Sequence, residues 1–172
     1  ACGTSTTAPT ASEPEYRYDE LPEAGDESTA FSEYRAISQW GKLEIAYFFI
    51  NGTEKMSSND EQAVVRQAFD LWAGQTPLTF TEVTNRSQAD IVIGWGSGEH
   101  GDGDPFDGRG DVLAHASFPN PYDDRQVILH FDDDERWVNS NTQNVDLLTV
   151  AAHEIGHTLG LAHSDDPDAL MY

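Results

Sequence analysis

Cysteine is almost absent from this chain of 172 residues, since Cys2 is the single one. One thiol cannot close an intramolecular disulfide, so a hydrophobic core or bound metal ions must stabilise the fold. No apolar run approaches the roughly 20 residues that span a membrane as a helix. With 38% hydrophobic and 23% charged residues, the composition is that of a globular protein long enough to bury one sizeable core.

Basic residues are also scarce: nine Lys plus Arg stand against 31 Asp plus Glu, which gives a formal net charge of −22. This excess of negative charge argues against nucleic acid or an anionic membrane surface as a partner. Solubility or a salty habitat would explain the acidity, and so would carboxylates that bind divalent cations. The positions of the acidic residues must decide between these explanations.

The composition divides the chain into two parts. Residues 1–30 are rich in Ser, Thr, Pro, Ala and Glu and almost free of aliphatic side chains, which predicts a tail or pro-segment without a core of its own. The folded domain is predicted to comprise residues 31–172. A helix is predicted from Ser58, an N-cap with Glu61 as its capping-box partner, to Gly74. Strands are predicted at residues 42–50, 78–83, 89–95, 112–118 and 127–131.

These elements predict an α/β (α+β) fold, a mixed twisted sheet of about five strands with a backing helix. A second helix is predicted in the stretch NVDLLTVAAHEIGHTLG, where apolar residues recur at helical spacing. Asn144 or Asp146 can start this helix and Gly160 can end it.

The second helix carries residues with the spacing of a metal site. His153 and His157 are one turn apart on a helix and point the same way, so two imidazole nitrogens can bind one ion. Gly160 lets the chain turn back in a left-handed conformation and bring His163 to the same ion. Three neutral imidazoles leave a fourth position open, as in catalytic zinc sites. Glu154 projects beside the ion, where a carboxylate can take a proton from the attacking water.

The alternative is a chance His-Glu-x-x-His on a buried helix, and the third histidine, the glycine and the helical context argue against it. HEIGHTLGLAHS followed by ALMY resembles the zinc-binding consensus and Met-turn of the metzincin metallopeptidases. Ser164 follows the third histidine, and a serine at this position resembles the matrixin branch of that group, the matrix metalloproteinases. The resemblance spans residues 40–172 and implies a metzincin-type sheet with an active-site helix. It implies that His153, His157 and His163 are zinc ligands. It also implies that Glu154 is the general base and acid and that Met171 is the Met-turn residue.

A second set of candidate metal-binding side chains lies on the glycine loop after the predicted third strand and on the two predicted strands that follow it. It comprises three histidines and one aspartate, the number and type that close a structural zinc site: His100, Asp102, His115 and His130. Taken singly, each histidine is equally consistent with a surface or strand residue. The set is similar to the structural-zinc site of matrixins position by position, which implies a second zinc ion.

The glycine loop between these histidines offers hard oxygen ligands, which suit calcium. The resemblance implies at least one Ca²⁺, held by three carboxylates and three carbonyls: Asp107, Asp132, Glu135, Gly108, Gly110 and Val112. The alternative is that these acids only solvate the loop. Where matrixins often place a second calcium, PNPYDDRQVI is longer and free of glycine, so that site is not carried over.

The stretch VLAHA resembles the edge strand along which matrixins pair an extended substrate. An edge strand has free N–H and C=O groups, so a peptide can add to it at Leu113 and Ala114. The resemblance therefore implies a secreted, extracellular zinc endopeptidase that is a monomer and hydrolyses internal peptide bonds of proteins. The alternative is an incomplete, inactive metal- or peptide-binding surface protein. In matrixins the specificity-pocket wall and a closing helix follow the Met-turn, and this sequence ends at Tyr172.

The tail offers two candidates for keeping such an enzyme latent. YDELPEAGD, residues 18–26, resembles the propeptide of karilysin-like bacterial matrixins, which implies Asp19 as the carboxylate that occupies the open zinc position of a zymogen. Cys2 is the other candidate, but it lacks the residues that flank the inhibitory cysteine of vertebrate matrixins. Ala-Cys-Gly ahead of a Ser/Thr/Pro-rich tether also resembles a bacterial lipoprotein terminus, which would make Cys2 a lipid anchor at the cell surface.

Overall fold

The computed structural model describes residues 35–56, 61–123, 125–139 and 145–172. The two helices are α1 (Glu61–Ala73) and α2 (Leu147–Thr158). The strands are β1 (Arg35–Ala36), β2 (Glu44–Phe49), β3 (Thr79–Glu82), β4 (Ile91–Gly96), β5 (Ala114–Ala116), β6 (Val127–Asp132), β7 (Trp137–Val138), β8 (Val145–Asp146) and β9 (Leu161–Ala162). No helix in these ranges combines the length and the apolar character needed to cross a membrane.

Five strands form the central sheet in the order β3-β2-β4-β6-β5. The first four are parallel, and β5 runs antiparallel to β6 at the edge. The mixed five-strand sheet with two helices confirms the predicted fold class. The five predicted strand segments each overlap one of these strands: β4 and β6 each extend one residue past the predicted end, and β5 covers only three residues of the predicted 112–118.

The core lies where the two helices pack against each other and against the sheet. Val65, Ala68 and Phe69 of α1 are buried, as its apolar spacing predicts, and Phe69 stacks on Tyr47 of β2 at 4.3 Å between ring centroids. Each fully buried side chain of this size stabilises the fold by about 1.5–3 kcal/mol. Ile155 of α2 belongs to the same core, and α2 packs against strands β5 and β6 of the sheet.

The ends of α2 follow the predicted signals. Asp146 is the N-cap, and its side chain accepts a hydrogen bond from the Thr149 amide at 3.2 Å. Gly160 follows the helix with φ +97°, the left-handed conformation that glycine adopts at lowest cost. The other candidate cap, Asn144, and the predicted start of α1 at Ser58 lie outside the described residues.

Two short pairings are not evident in the sequence. β1 pairs antiparallel with β9, matching Arg35 to Ala162, and β7 pairs parallel with β8. Strands of two residues are too short for an alternating pattern to reveal. The first pairing places the start of the described chain beside the segment that leads to His163.

Candidate active site and metal centres

Three imidazoles converge at the end of α2. The Nε2 atoms of His153 and His157 lie 3.1 Å apart, and His157 Nε2 lies 3.2 Å from His163 Nε2. Helical spacing aligns the first two, and the turn at Gly160 brings in the third. The structure therefore brings together all three histidines that the sequence singled out.

Backbone carbonyls fix the orientation of two of these rings. His153 Nδ1 donates to the Leu170 carbonyl at 2.8 Å, and His157 Nδ1 donates to the Leu161 carbonyl at 2.7 Å. A carbonyl only accepts, so the proton of each neutral ring is on Nδ1 and Nε2 keeps its lone pair. Burial lowers the pKa of His153, and it lowers the pKa of His157 to about 4, which keeps both rings neutral near pH 7.

This arrangement fits a zinc ion. Lone pairs that face each other without a proton between them repel, and a cation placed among them removes that repulsion. Tetrahedral zinc with bonds of 2.0–2.1 Å places its ligand nitrogens about 3.3 Å apart. The observed separations are close to this value, so the cluster fits zinc with little movement.

Glu154 directly follows His153 on α2 and has an unusual environment for a carboxylate. The residue is 7% exposed, and its Oε2 atom has no hydrogen-bond partner among the described residues. Burial raises the pKa of Glu154 to about 8. A buried carboxyl oxygen without a hydrogen-bond partner among the described residues, on the residue next to one of three clustered histidines, is typical of a functional group rather than a stabilising one.

Met171 packs directly beneath α2. It is fully buried, and a Cβ added at Gly156 would clash with its sulfur. The Met171 carbonyl accepts the Ser164 amide at 2.6 Å, which closes the turn after His163. The methionine therefore packs against α2 at Gly156, the residue before His157.

The second candidate metal centre is built around one oxygen of Asp102. Its Oδ2 lies 2.9 Å from His100 Nε2, 2.8 Å from His115 Nε2 and 2.7 Å from His130 Nδ1. Burial acts to raise the pKa of Asp102, but hydrogen bonds from the Asp104 amide, His130 and His115 outweigh it and hold this pKa well below its usual range. The four residues thus form a closed ligand set with a charged carboxylate, which fits a structural zinc.

Two residues that support this centre were missed in the sequence. Phe106 is buried and stacks on His100 at 4.5 Å and on His115 at 4.6 Å between centroids. Gly96 approaches His100 so closely that an added Cβ would lie 2.7 Å from the His100 Cβ. A single phenylalanine in a loop of Gly and Asp was the available signal for the first, while the second depends on tertiary packing.

The predicted calcium ligands are only partly assembled. Asp132 and Glu135 are buried, and Asp132 Oδ2 has no hydrogen-bond partner among the described residues. Burial raises the pKa of Asp132, and the charges of Asp134 and Glu135 act in the same direction, while hydrogen bonds from the Asp134 and Gly108 amides act against them. Glu135 accepts the Gly110 amide, and Gly108 and Gly110 have φ near +90°. Asp107 is exposed, and oxygens of the three carboxylates do not all lie within 4.8 Å of one another.

The edge strand β5 has one row of backbone groups facing away from the sheet. The Asp132 amide donates to the Leu113 carbonyl at 2.9 Å, and the Ser117 amide donates to the Ile128 carbonyl at 3.0 Å. Alternation along the strand therefore turns the backbone groups of Ala114 outward. The Leu113 carbonyl bonds inward to β6, so the two predicted substrate-binding residues differ in what their backbones offer.

The two latency candidates, Asp19 and Cys2, lie outside the described residues. The exposed Val112, the third predicted carbonyl ligand of calcium, lies directly before Leu113. The site residues that can be located therefore all lie between residues 35 and 172.

Comparison with known proteins agrees with this geometry. The family model described as Matrixin matches residues 39–172. Karilysin from Tannerella forsythia is 43% identical over 156 residues, which cover 90% of this chain and 32% of karilysin. Stromelysin-1 from Mus musculus is 42% identical over 152 residues, which cover 88% of this chain and 30% of stromelysin-1. Matrix metalloproteinase-16 from Homo sapiens is 45% identical over 141 residues, which cover 77% of this chain and 23% of that protein.

The chain thus spans about a third or less of the length of these curated relatives. The family match covers both histidine clusters and Glu154, and its residues carry the geometry described above. The chain belongs to the matrixin family of zinc metallopeptidases.

Proposed function

We propose that this chain contains the catalytic domain of a zinc-dependent endopeptidase that hydrolyses internal peptide bonds of proteins. The observation that supports this most strongly is the convergence of the Nε2 atoms of His153, His157 and His163, together with the buried Glu154 on the same helix. A protein that only bound metal or peptide would have no need of an acid-base residue beside three ligands and an open position. Residues 1–30 are proposed as the tail and latency segment, and residues 31–172 as the matrixin-like domain.

Each residue of the site has a distinct role in the proposed reaction. His153, His157 and His163 would hold zinc, which when bound polarises the scissile carbonyl and acidifies the attacking water. The charge of bound zinc would favour the ionised form of Glu154 against its burial, so that Glu154 would accept the proton of that water and return it to the leaving amine. Met171 supports the helix from below. No covalent bond between enzyme and substrate is required.

Ala114 would hold the substrate in register. Its outward amide and carbonyl can pair with an extended peptide, which adds to the sheet as a sixth strand beside β5. Leu113 contributes through its side chain, because its carbonyl bonds to Asp132. The substrate therefore lies along the edge with its scissile bond near the histidine cluster.

The remaining metal sites would stabilise this domain. His100, Asp102, His115 and His130 are proposed to bind a second, structural zinc. Asp107, Asp132 and Glu135, with carbonyls of Gly108, Gly110 and Val112, are proposed to bind calcium once Asp107 moves inward. The buried, unpartnered Asp132 oxygen supports a cation at this place.

Latency is proposed to depend on Asp19, whose carboxylate would take the open zinc position in a secreted zymogen. Asp19→Ala should then give a precursor that processes itself faster than the wild type. Cys2→Ala is the matched comparison. Faster processing in the Cys2 variant alone would assign latency to the thiol instead.

The test of the proposed function is digestion of casein or gelatin with and without a zinc chelator, repeated with Glu154→Gln. We expect the chelator to stop cleavage and the variant to lose about 10²–10⁴-fold in rate while it still binds zinc. Cleavage that ignores the chelator, or full activity in the variant, would refute the mechanism. Zinc binding without any cleavage would support the alternative of an inactive metal-binding protein.

A further inference from the structure

Two tryptophans from separate parts of the chain donate their indole N–H groups to backbone carbonyls of α2. Trp40 Nε1 donates to the Thr158 carbonyl at 2.8 Å, and Trp72 Nε1 donates to the Ala152 carbonyl at 2.8 Å. Trp40 precedes β2, and Trp72 lies on α1. Ala152, the acceptor for Trp72, directly precedes His153, and Thr158, the acceptor for Trp40, directly follows His157.

The bond from Trp40 completes the hydrogen bonding at the end of the helix. The last carbonyls of a helix lack partners within it. The Leu159 amide bonds to the carbonyls of Ile155 and Gly156, and the Gly160 amide bonds to that of His157 at 2.9 Å. The Thr158 carbonyl is the next in line, and Trp40 supplies its donor.

The bond from Trp72 acts within the helix. The Ala152 carbonyl belongs to the helical ladder, so the indole uses its second lone pair. The same indole packs against Gly156, where an added Cβ would lie 3.1 Å from Trp72 Cζ2. Trp72 thus fixes both the position of α2 along its axis and its distance from α1.

Metal ligands must be held within about 0.5 Å of their binding geometry. The Nδ1 hydrogen bonds to Leu170 and Leu161 orient two of the rings, but they cannot fix the helix from which those rings project. The two indoles bracket this segment, and both tryptophans are partly buried against the core. Neither bond stabilises any residue of the second histidine cluster.

We propose that Trp40 and Trp72 are positioning residues that clamp the segment His153–His157 from both ends and so keep the histidine cluster ready for metal. The inference rests on the proposed zinc site at His153, His157 and His163. The ligand concerned is zinc itself, and the clamp acts on its release rather than on the chemical step.

The chain contains matched controls for this proposal. Trp137 Nε1 donates to the Asp132 carbonyl at 2.8 Å, away from α2, and Trp95 Nε1 is buried without a partner among the described residues. Replacing each tryptophan by phenylalanine removes the N–H and keeps an aromatic ring. Trp137→Phe therefore removes an equivalent hydrogen bond elsewhere, and Trp95→Phe removes none.

The experiment is zinc release from the full chain, saturated with zinc and calcium, into excess chromophoric chelator. His163→Ala and His130→Ala identify which release phase belongs to which cluster. We expect Trp40→Phe and Trp72→Phe each to speed the phase of the His153 cluster about fivefold, the value of one lost hydrogen bond, and to leave the other phase unchanged. Trp95→Phe and Trp137→Phe should not produce this selective change.

If the Trp40 and Trp72 variants released zinc faster from both clusters to the same extent, the substitutions would only destabilise the fold in general, and the proposal would be overturned. Unchanged release rates in both variants would also overturn it. A selective effect in Trp137→Phe as large as in Trp72→Phe would also overturn it. A wild-type chain with no phase sensitive to His163→Ala would overturn the zinc site, and with it both this inference and the proposed function. Failure of the clamp alone leaves the His163-dependent phase in place.

Discussion

At the scale of single residues, glycines allow other segments of the chain to approach α2 and the turn after it closely. Gly160 combines φ +97° with a close contact, because an added Cβ would clash with the Ser38 carbonyl oxygen. The left-handed turn could be predicted from the sequence, since a glycine after a helical pattern is typical of a helix end. The contact with Ser38 could not, because it depends on a pairing between β1 and β9 that two-residue strands do not reveal.

Gly160→Ala should therefore destabilise the domain by more than a positive φ alone explains. Left-handed backbone costs alanine about 1–2 kcal/mol, and the clash with Ser38 adds to it. Gly101→Ala is the control, because Gly101 has a similar φ of +103° and no atom within 4 Å of an added Cβ. The free energy of unfolding in urea measures both. Equal losses in the two variants would contradict the account of the Ser38 contact.

At the scale of elements, α2 could be predicted because its apolar residues recur at helical spacing, and the central strands because they are short apolar runs without that spacing. Asp146 and Gly160 mark the ends of α2 correctly. The edge strand β5 was expected at residues 112–118 but covers Ala114–Ala116, since strand length depends on pairing with β6 rather than on apolar character alone. The alternation along β5, which turns Ala114 outward, could only be read once that register was known.

Ala114→Pro should weaken substrate binding without disturbing the metal sites. Proline removes the outward N–H, and proline is tolerated on an edge strand because no ladder bond to β6 is lost. We expect kcat/KM for a peptide substrate to fall about tenfold or more, with unchanged zinc content. Ala114→Ser keeps the amide and should retain activity. Equal kcat/KM in the proline variant and the wild type would rule out strand addition at this residue.

At the scale of the whole molecule, acidic residues gather where cations are proposed. Asp102 was predictable as a ligand because its loop and the strands of His115 and His130 resemble a known pattern, and the structure unites them around one oxygen. Phe106 was not predictable, because its stacking on two imidazoles depends on how the loop folds over them. Composition alone left open whether the net charge of −22 reflects solubility or metal binding.

Calcium should therefore stabilise the zinc-loaded chain beyond any effect of ionic strength. At 100 times the dissociation constant, bound calcium contributes about 2.7 kcal/mol, which raises Tm by about 5–10 °C for a domain of this size. Asp132→Asn should lose most of this gain, since it replaces the buried carboxylate. Thermal unfolding with CaCl₂, or with NaCl at matched ionic strength, measures the difference. An equal rise with NaCl would show that calcium acts by screening alone.

The central claim is that His153, His157 and His163 bind one zinc ion and leave a position open beside Glu154. X-ray diffraction from crystals of the zinc-loaded chain, recorded on both sides of the zinc absorption edge, tests it most directly. The account predicts an anomalous peak about 2.0–2.1 Å from the three Nε2 atoms. Imidazoles turned away from one another, with no zinc peak among them in zinc-saturated crystals, would contradict it.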